Sequence, residues 1–588
     1  MLKIKLPHMY SNLNKPTIVS PILLLIGAVF LISLPYSHAQ DLLLKRVNYL
    51  NVEKGSFQSS DILIEDGKIK EIKNKISVSS DVNQLNASGK YLMPGLIDAH
   101  IHLFQSGGLY TRPDVVDLRD IKSYDEERKW LENNSDNILR RYMHCGVTTV
   151  VDVGGPMANF ELRKKYEKSS LHPSILLTGP LISTYQPEEF KIDDPPIIKV
   201  NSTDEARAQV QKQVPYKPDF IKIWYIALPT QTAESTYEIV AAAIDESHKN
   251  NLKVAVHATE LNTAKLAIRA GCDLLVHSVD DPVDEDFIKL MLENDVSYIP
   301  TLIVHRKYVK VFSQTYEPTN EDFLYANPEA LGSIMDPAHM TDNEALNTYK
   351  TYAPQLTLRL NEQEKNRLEN LKTLVEAGVN VVMGTDAGNI GTQHASSIYE
   401  EMSDMQKAGL QPADIIRMST INAAKAFEKE KQIGSIEPGK LADLLLLNKN
   451  PLDSLANLQS ISHVIRNGVI QDVDTIVPVT PAALAQQQLN AYNAQDIEAF
   501  LAPYSDSVKV FNFPDQLQYT GIDNMRNGYA NFFKETPNLH CEVTERIVLG
   551  NTVIDREIVT GFSDGWVLEA IAIYKIWDNK IQEIYFIR

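Results

Sequence analysis

Short apolar runs that carry a polar residue near their end recur through the middle of the chain, and they limit the folds that it can adopt. Four of these runs are DFIKIW, KVAVHA, LLVHS and VVMGTDAG, which carry Lys222, His257, His277 and Asp386. Such runs are typical of buried parallel strands, and helical segments such as TYEIVAAAIDESHKN lie between them. With GVTTVVDVG, SILLTGP and YIPT they follow a first strand that ends at His100, which makes eight. We therefore predict an α/β fold with a (β/α)8 TIM barrel over residues 94–428.

The polar residues of these runs are of the types that bind divalent metal ions, and a barrel gathers them at the carboxyl ends of its strands. His100 and His102 are one residue apart, so both imidazoles project the same way and can bind one ion. His257 and His277 lie on successive strands and supply imidazoles for a second ion. Two neighbouring cations need an anionic bridge, and a lysine carbamylated by carbon dioxide provides a carboxylate. Lys222 lies where that bridge is expected.

Asp386 completes the predicted metal centre. Its carboxylate can bind the first ion and take a proton from the bridging water, whose pKa the metals lower toward neutrality. We predict two divalent ions, with zinc as the expected metal, although these ligands also suit manganese, iron or cobalt. The six predicted ligands are His100, His102, Lys222, His257, His277 and Asp386. A single-metal site, with Lys222 as an ordinary paired lysine, is the alternative.

Beyond these ligands, the chain resembles the amidohydrolase superfamily. The segments GTDAGNIGTQHASSIYEEM, STINAAKAF and IGSIEPGKLADLLLLNKNPL look like the C-terminal third of its imidazolonepropionase- and prolidase-like branch. The similarity covers residues 41–472, and by resemblance it assigns the carbamylated bridge to Lys222. It implies that a metal-bridging hydroxide hydrolyses a C–N bond of a small amide, a cyclic amide or a dipeptide such as Xaa-Pro. Hydrolysis of a lactone or ester on the same metals is an alternative.

Substrate contacts are harder to predict than metal ligands. Tyr225 could polarise a carbonyl or hold a carboxylate, and His394 could contact a leaving group, so both join Asp386 as candidate catalytic residues. Arg306 could bind a substrate carboxylate with two hydrogen bonds. Tyr225 and His394 could equally lie at the rim without contact. Residues 305–360 are long for a βα connection and predict a helical lid, with a surface insertion or an oligomer contact as the alternative.

Strand-rich segments flank the predicted barrel on both sides. Residues 40–93 and 429–475 contain short strands and turns, which predict a small composite β-sandwich. After a short linker, residues 482–588 predict an α+β cone. This part resembles the nuclear transport factor 2-like, steroid-isomerase-like family in LNAYNAQDIEAFLAPYSDSV, VIDREIVTG and IYKIWDNKIQEIYF.

The resemblance of the cone allows more than one role. Its family contains isomerases, cyclases and modules that bind or dimerise. We favour binding or oligomerisation, because the sequence does not place a carboxylate base beside a tyrosine-type donor. A small-molecule binding or isomerising protein that acts through the cone is the alternative function for the whole chain. Cone modules often pair through their sheets, so we expect a homo-oligomer, and a monomeric mass in light scattering would contradict this.

The N-terminus and the net charge indicate location and exclude one class of partner. Basic residues precede the apolar stretch ILLLIGAVFLISL, and a small-x-small ending follows, so residues 1–39 predict a cleavable signal peptide. We expect a periplasmic or secreted protein with no stable membrane insertion after cleavage, and an unprocessed N-terminus on cytosolic material would contradict this. An uncleaved anchor is the alternative. The formal net charge of −19, with no basic tract, argues against nucleic acid as a partner.

Overall fold

The computed structural model of the protein describes residues 41–340 and 343–588. The signal peptide predicted at residues 1–39 lies outside these ranges. Across the described ranges, no helix combines the length and the apolar composition that crossing a membrane requires.

The first five strands form a mixed sheet region, in which the first strand buries side chains on both of its faces. Leu42 and Leu44 pack in one apolar cluster, whereas Leu43 packs in another. This division is expected because successive side chains of a strand point to opposite faces. The strands are β1 (Leu42–Asn51), β2 (Ser56–Glu65), β3 (Lys68–Lys73), β4 (Asn83–Asn86) and β5 (Tyr91–Pro94).

The next nine strands are parallel and almost wholly buried, as expected of strands covered on both faces. They form a three-stranded sheet, β6-β7-β8, and a six-stranded sheet, β10-β9-β11-β12-β13-β14. Their bounds are β6 (Leu96–Ile101), β7 (Val147–Asp152), β8 (Ser174–Leu177), β9 (Leu181–Ser183), β10 (Ile197–Lys199), β11 (Ile221–Trp224), β12 (Val254–His257), β13 (Leu274–Val276) and β14 (Ser297–Ile299).

The predicted run VVMGTDAG does not form a regular eighth strand. It pairs through isolated parallel bridges, Tyr298 with Val381 and Ile101 with Ala387, and so connects β14 to β6. Its backbone turns into the left-handed region at Asp386, where φ is 61°, and an extended ladder cannot continue through that conformation. The described strands therefore form two sheets joined by this segment instead of one continuous eight-stranded sheet.

Helices alternate with the parallel strands, which confirms the predicted α/β character. Several begin at a side-chain cap; Ser123, for example, forms a capping box with Glu126 at the start of the first helix. The helices up to the last barrel segment are α1 (Tyr124–His144), α2 (Asn159–Tyr166), α3 (Thr203–Gln213), α4 (Ala233–Lys249), α5 (Leu261–Arg269), α6 (Glu285–Glu293), α7 (Val304–Phe312), α8 (Asn320–Tyr325), α9 (Pro328–Ser333), α10 (Glu344–Glu376), α11 (Ser397–Lys407), α12 (Pro412–Met418) and α13 (Ile421–Ala426).

Strands from both sides of the barrel segment meet in one sheet. The later strands are β15 (Leu444–Leu447), β16 (Ile461–Arg466) and β17 (Val469–Asp472). Strand β15 pairs with β5, and the eight-stranded sheet runs β17-β16-β15-β5-β1-β2-β3, with β4 paired to β1. The two sequence-distant strand sets therefore combine, while the two facing layers of a sandwich stay a prediction.

The C-terminal part is an α+β unit with its own apolar core. Its six-stranded sheet runs β19-β18-β23-β22-β21-β20. The elements are α14 (Pro481–Asn493), α15 (Ile497–Leu501), β18 (Tyr504–Asn512), β19 (Gln516–Thr520), α16 (Ile522–Glu535), β20 (His540–Leu549), β21 (Thr552–Thr560), β22 (Leu568–Trp577) and β23 (Lys580–Ile587).

Helix α14 joins this unit to the inserted helices that follow β14. The buried Asn490 side chain donates a hydrogen bond of 2.7 Å to the carbonyl of Pro328 at the start of α9. We expect Asn490→Ala to lower the free energy of unfolding by about 1–3 kcal/mol, because the buried carbonyl loses its partner. A lower urea midpoint would show this, with Asn531→Ala in an exposed part of α16 as control. Equal effects of the two substitutions would contradict it.

Candidate metal centre

The six predicted ligands come from the carboxyl ends of the parallel strands and the segments just beyond them. They lie in β6 (His100), after β6 (His102), in β11 (Lys222), at the end of β12 (His257), after β13 (His277) and in the segment that bridges β14 and β6 (Asp386). In an α/β fold these ends lie on one side of the sheet, where functional residues gather.

Asp386 lies among three of the imidazoles. Its Oδ1 is 3.4 Å from His100 Nε2 and 3.2 Å from His102 Nε2, and its Oδ2 is 3.7 Å from His277 Nδ1. Potential ligand atoms of His100, His277 and Asp386 all lie within 4.8 Å of one another. The three side chains are therefore close enough to bind one cation.

His257 and Lys222 extend the cluster. The ring centroids of His257 and His277 are 4.4 Å apart, and those of His277 and His100 are 4.8 Å apart. Burial lowers the pKa of His100, His257 and His277 well below the usual range, so their rings are neutral and carry a free lone pair. Burial also lowers the pKa of Lys222 to about 7. A neutral amine is the form that reacts with carbon dioxide.

Some buried nitrogen atoms of the cluster have no hydrogen-bond partner among the described residues. These are Lys222 Nζ and both ring nitrogens of His100. A buried polar atom without a partner costs about 1–3 kcal/mol, so such atoms are expected to meet a ligand. Neutral imidazoles, a carboxylate and a modifiable lysine are a donor set that fits divalent cations.

Neighbouring groups fix the orientation of the candidate ligands. His102 Nδ1 donates to the carbonyl of Gly154 at 2.9 Å, which leaves Nε2 free on the side of Asp386. His277 Nδ1 lies 2.9 Å from the hydroxyl of Thr301. Both His277 and Asp386 have left-handed backbone conformations, with φ of 77° and 61°. Such costly conformations in residues other than glycine concentrate at functional sites.

Gly384 allows the segment that carries Asp386 to approach β6. A Cβ atom at this position would lie 2.9 Å from the backbone nitrogen of His100 and 2.7 Å from Ile299 Cγ2. We expect Gly384→Ala to push the segment away, with a loss of about 1–3 kcal/mol of stability and weaker zinc binding. Calorimetric zinc titration tests this, with Gly528→Ala as control because a Cβ there meets nothing within 4 Å. Unchanged zinc affinity in Gly384→Ala would contradict the expectation.

A cavity of about 410 Å³ lies against the cluster. Five of the predicted ligands line it, namely His102, Lys222, His257, His277 and Asp386. Helices α7 and α10, which belong to the region predicted as a lid, contribute Tyr308, Phe312, Leu356 and Leu360 to the wall. The inserted region is thus helical and borders the cavity, and its action as a lid stays a prediction.

Two residues that the sequence analysis did not single out connect the cavity wall to Asp386. Asn389 donates from Nδ2 to Asp386 Oδ1 at 2.7 Å. Arg112 donates from Nη1 to Asn389 Oδ1 at 2.8 Å and binds Asp114 with two hydrogen bonds of 2.7 and 2.6 Å. Arg112 lies in an irregular stretch after β6, where no periodic pattern marks it. Asn389 lies three residues after Asp386, so its place in the sequence was a better clue than that of Arg112.

The structure places the weaker candidates away from the cavity wall. The Tyr225 hydroxyl donates to the carbonyl of Ala233 at 2.5 Å, and the residue is buried. Both ring nitrogens of His394 have partners, the Tyr142 hydroxyl at 2.9 Å and the Gln105 carbonyl at 2.8 Å. None of Tyr225, His394 and Arg306 is among the residues that line this cavity in the described part of the chain.

Arg306 is held by carboxylates instead of facing a substrate. It pairs with Glu364, with Glu400 at 2.9 Å and with Asp404 at 2.7 Å. Its neighbours His305 and Tyr308 do line the cavity, so Arg306 lies on another side of α7. Burial lowers the pKa of His305 to about 3, so this ring is neutral.

The C-terminal unit contains a smaller cavity of about 110 Å³. Asp555 is buried and bound by Arg546 at 2.8 and 2.7 Å, so it is not a free base. Glu557 lines the cavity and accepts a hydrogen bond of 2.8 Å from the Tyr574 hydroxyl, and burial raises its pKa to about 7. This carboxylate and tyrosine pair could not be placed from the sequence.

Parallel strands gather histidines, a lysine and an aspartate at their carboxyl ends, an arrangement that could hold metal ions. Comparison with known families identifies the family: residues 91–471 match the Amidohydrolase family, so the chain belongs to it. Residues 485–584 match the SnoaL-like domain, which confirms the nuclear transport factor 2-like character predicted for this part. The chain is an enzyme of a family whose relatives are hydrolases acting on C–N bonds.

The chain is similar to curated proteins and to solved structures over most of its length. The chain is 22% identical over 444 residues to a 5-methylthioadenosine/S-adenosylhomocysteine deaminase of Caldicellulosiruptor saccharolyticus, which covers 72% of this chain and 89% of the relative. It is 25% identical over 427 residues to an imidazolonepropionase of Shouchella clausii, and this match covers 68% of this chain and 78% of the relative. A solved Xaa-Pro dipeptidase with bound methionine aligns with a TM-score of 0.57 and 23% identity, covering 74% of this chain and 100% of the other. That structural likeness shows the fold.

Proposed function

We propose that this protein hydrolyses a C–N bond of a small amide, a cyclic amide or a dipeptide at a centre of two divalent metal ions. The observation that carries the proposal is the gathering of the predicted ligand residues beside one cavity, with buried nitrogen atoms of His100 and Lys222 that have no hydrogen-bond partner in the described part of the chain. The Xaa-Pro dipeptidase and deaminase relatives support C–N bonds as the target. The bridges from the segment of Asp386 to β14 and β6 support a closed barrel.

The residues that would hold the ions are the six ligands predicted from the sequence, and zinc is the proposed metal. When bound, the ions supply polarisation of the scissile carbonyl and a water of lowered pKa. Lys222 is proposed as the carbamylated bridge, because its buried amine has a pKa of about 7 and no partner among the described residues.

The side chains of the chain itself move the proton and shape the reaction volume. Asp386 accepts a proton from the attacking water and returns it to the leaving nitrogen. Asn389, bound to Asp386 Oδ1 at 2.7 Å, holds one carboxylate oxygen and leaves Oδ2 for proton transfer. The apolar wall limits the water around the reacting groups, which strengthens their electrostatic interactions.

The barrel cavity is a better candidate for the reaction than the C-terminal unit. Its volume of about 410 Å³ lies within the ordinary range of ligand pockets, whereas the cavity of about 110 Å³ beside Glu557 lies below it. We therefore keep a binding or oligomerising role for the C-terminal unit.

The direct test is amine release by the chain without residues 1–39, loaded with zinc, against a panel of dipeptides, N-acyl amino acids and neutral amides. The proposal predicts turnover of at least one class, and no turnover by protein stripped of metal. Turnover of lactones or esters alone would overturn C–N hydrolysis while keeping the metal centre.

A further inference from the structure

The cavity beside the metal ligands has an apolar wall made by two separate parts of the chain. One part is an apolar cluster that contains Phe104, Leu181, Phe190 and Ile197, with Trp224 packed against it. The other part comes from the inserted helices, where the rings of Phe312 and Tyr349 stack at 4.5 Å, and further residues of α7 and α10 continue it. A substrate held here meets mostly carbon atoms outside the metal cluster.

Helix α10 presents one apolar stripe to the cavity. Tyr349, Ala353, Leu356 and Leu360 line the cavity, and their spacing of four, three and four residues places them on one helix face. Leu358 does not belong to this stripe and is 72% exposed. The stripe therefore faces the cavity, whereas Leu358 on the same helix faces solvent.

Among the described residues of the cavity wall, no arginine or lysine is free to bind a substrate carboxylate with two hydrogen bonds. The described residues that line the cavity include one arginine, Arg112, and one lysine, Lys222. Lys222 is the proposed bridge between the metal ions. Arg112 has five N–H donors. Two bind Asp114, and two more reach Tyr308 at 3.1 Å and Asn389 at 2.8 Å, which leaves one. Its charge is offset by the carboxylate of Asp114, so a bidentate grip on a substrate carboxylate is not available.

We propose that the substrate is an uncharged amide that bears an aromatic or branched aliphatic group and has no free carboxylate beside the scissile bond. This inference rests on the proposed C–N hydrolysis in the same cavity. Apolar groups of the substrate gain by leaving water for the wall formed by Trp224, Phe312 and Leu356. A carboxylate in the same place would lie against this apolar wall with no free arginine or lysine beside it among the described residues, which is unfavourable. Dipeptides with a free C-terminus are therefore poor substrates.

A matched pair of compounds tests the proposal. N-benzoylglycine and N-benzoylglycinamide share the same scissile benzamide bond and differ in the carboxylate. With the zinc-loaded chain lacking residues 1–39, we expect kcat/KM for benzoate release to be about 100-fold higher for the glycinamide, the size expected for an unpaired buried charge. The affinities of both compounds for the metal-free protein, measured by calorimetry, should differ in the same direction.

A charge placed on the stripe of α10 should change this preference. Leu356→Arg supplies donors for a carboxylate in the cavity, so the ratio should fall by about 10-fold or more. Leu358→Arg adds the same charge to the exposed side of the helix and should leave the ratio unchanged. If Leu356→Arg does not fold, Leu360→Arg makes the same test on the next turn.

The outcomes separate the substrate class from the reaction. Hydrolysis that favours N-benzoylglycine overturns the substrate class and leaves C–N hydrolysis intact. A third outcome is that the glycinamide binds more tightly than N-benzoylglycine, that Leu356→Arg reduces this difference, and that neither compound is hydrolysed. This outcome supports the substrate class and counts against the proposed reaction. Equal binding of the two compounds, or no binding of either, overturns the substrate class.

Discussion

Replacing Lys222 with alanine is expected to lower kcat/KM for amide hydrolysis by at least about 1,000-fold, because losing the bridge between two cations removes several kcal/mol of stabilisation. The zinc content should fall below two equivalents per chain. Lys222 is buried in β11, and its Nζ has no partner among the described residues, so the substitution breaks no hydrogen bond seen there. Elemental analysis and steady-state kinetics measure both effects.

Lys253 provides the matched control for this substitution. It precedes β12, at the opposite end of the strands, and its Nζ donates to the carbonyl of Ala426 at 3.2 Å. Lys253→Ala should keep both the zinc content and the activity. Full activity of Lys222→Ala with two bound zinc ions would contradict the role of Lys222 as the bridge.

The role of Lys222 also predicts how activity returns after carbon dioxide is removed. Burial lowers the pKa of its amine to about 7, so the neutral form dominates above pH 7 and the ammonium form below it. Because the neutral amine is the form that is carbamylated, reactivation by bicarbonate and zinc should be faster at pH 8 than at pH 6.

Asp386→Asn is expected to lower kcat by about 100- to 10,000-fold, the usual contribution of a positioned acid–base group. The amide keeps the size of the side chain, yet it cannot accept the proton from water or return it to the leaving nitrogen. Circular dichroism should show an unchanged fold. The expected loss is in turnover, so substrate affinity measured by calorimetry should change much less than kcat.

Asp414 is a suitable control for Asp386, since it pairs with Arg417 at 2.8 Å near the surface of α12 and lies outside the cavity wall. Asp414→Asn should retain wild-type kcat. A fully active Asp386→Asn protein would remove Asp386 from the proposed proton path.

The strand ends were the informative part of the sequence. Parallel strands place their carboxyl ends together, so a polar residue at the end of each apolar run could be assigned to one site before any contact was known. In the structure, a ring nitrogen of each of His100, His102 and His277 lies within 3.7 Å of a carboxylate oxygen of Asp386. The match to the Amidohydrolase family agrees with the resemblance drawn from the motifs.

Residues outside the strands were harder to predict because their positions depend on loops and helix phase. Lys222 and Trp224 are two residues apart, so they share one face of β11, and both line the cavity. Tyr225 lies past the end of the strand, and its hydroxyl bonds to the carbonyl of Ala233. Arg306 lies one position from His305 on α7, and this rotation of about 100° places it against acidic side chains instead of the cavity. Arg112 and Asn389 depend on loop geometry that no periodic pattern encodes.

The prediction of a regular eighth strand at residues 381–388 differs from the structure. The run VVMGTDAG has the composition of a buried strand, but it pairs through isolated bridges at Val381 and Ala387, and Asp386 between them has a left-handed conformation that a regular strand does not contain. Within this irregular segment the Asp386 carboxylate lies 3.4 Å from His100 Nε2 and 3.2 Å from His102 Nε2.

We propose that two zinc ions at this cluster support hydrolysis of a C–N bond. The most direct measurement is amide hydrolysis by metal-free protein as zinc is added in steps in the presence of bicarbonate, with bound zinc counted by elemental analysis. We expect activity to rise until two equivalents are bound and to be lost again with a chelator. Activity that is complete without zinc, or no C–N hydrolysis of any amide with two equivalents bound, would contradict it.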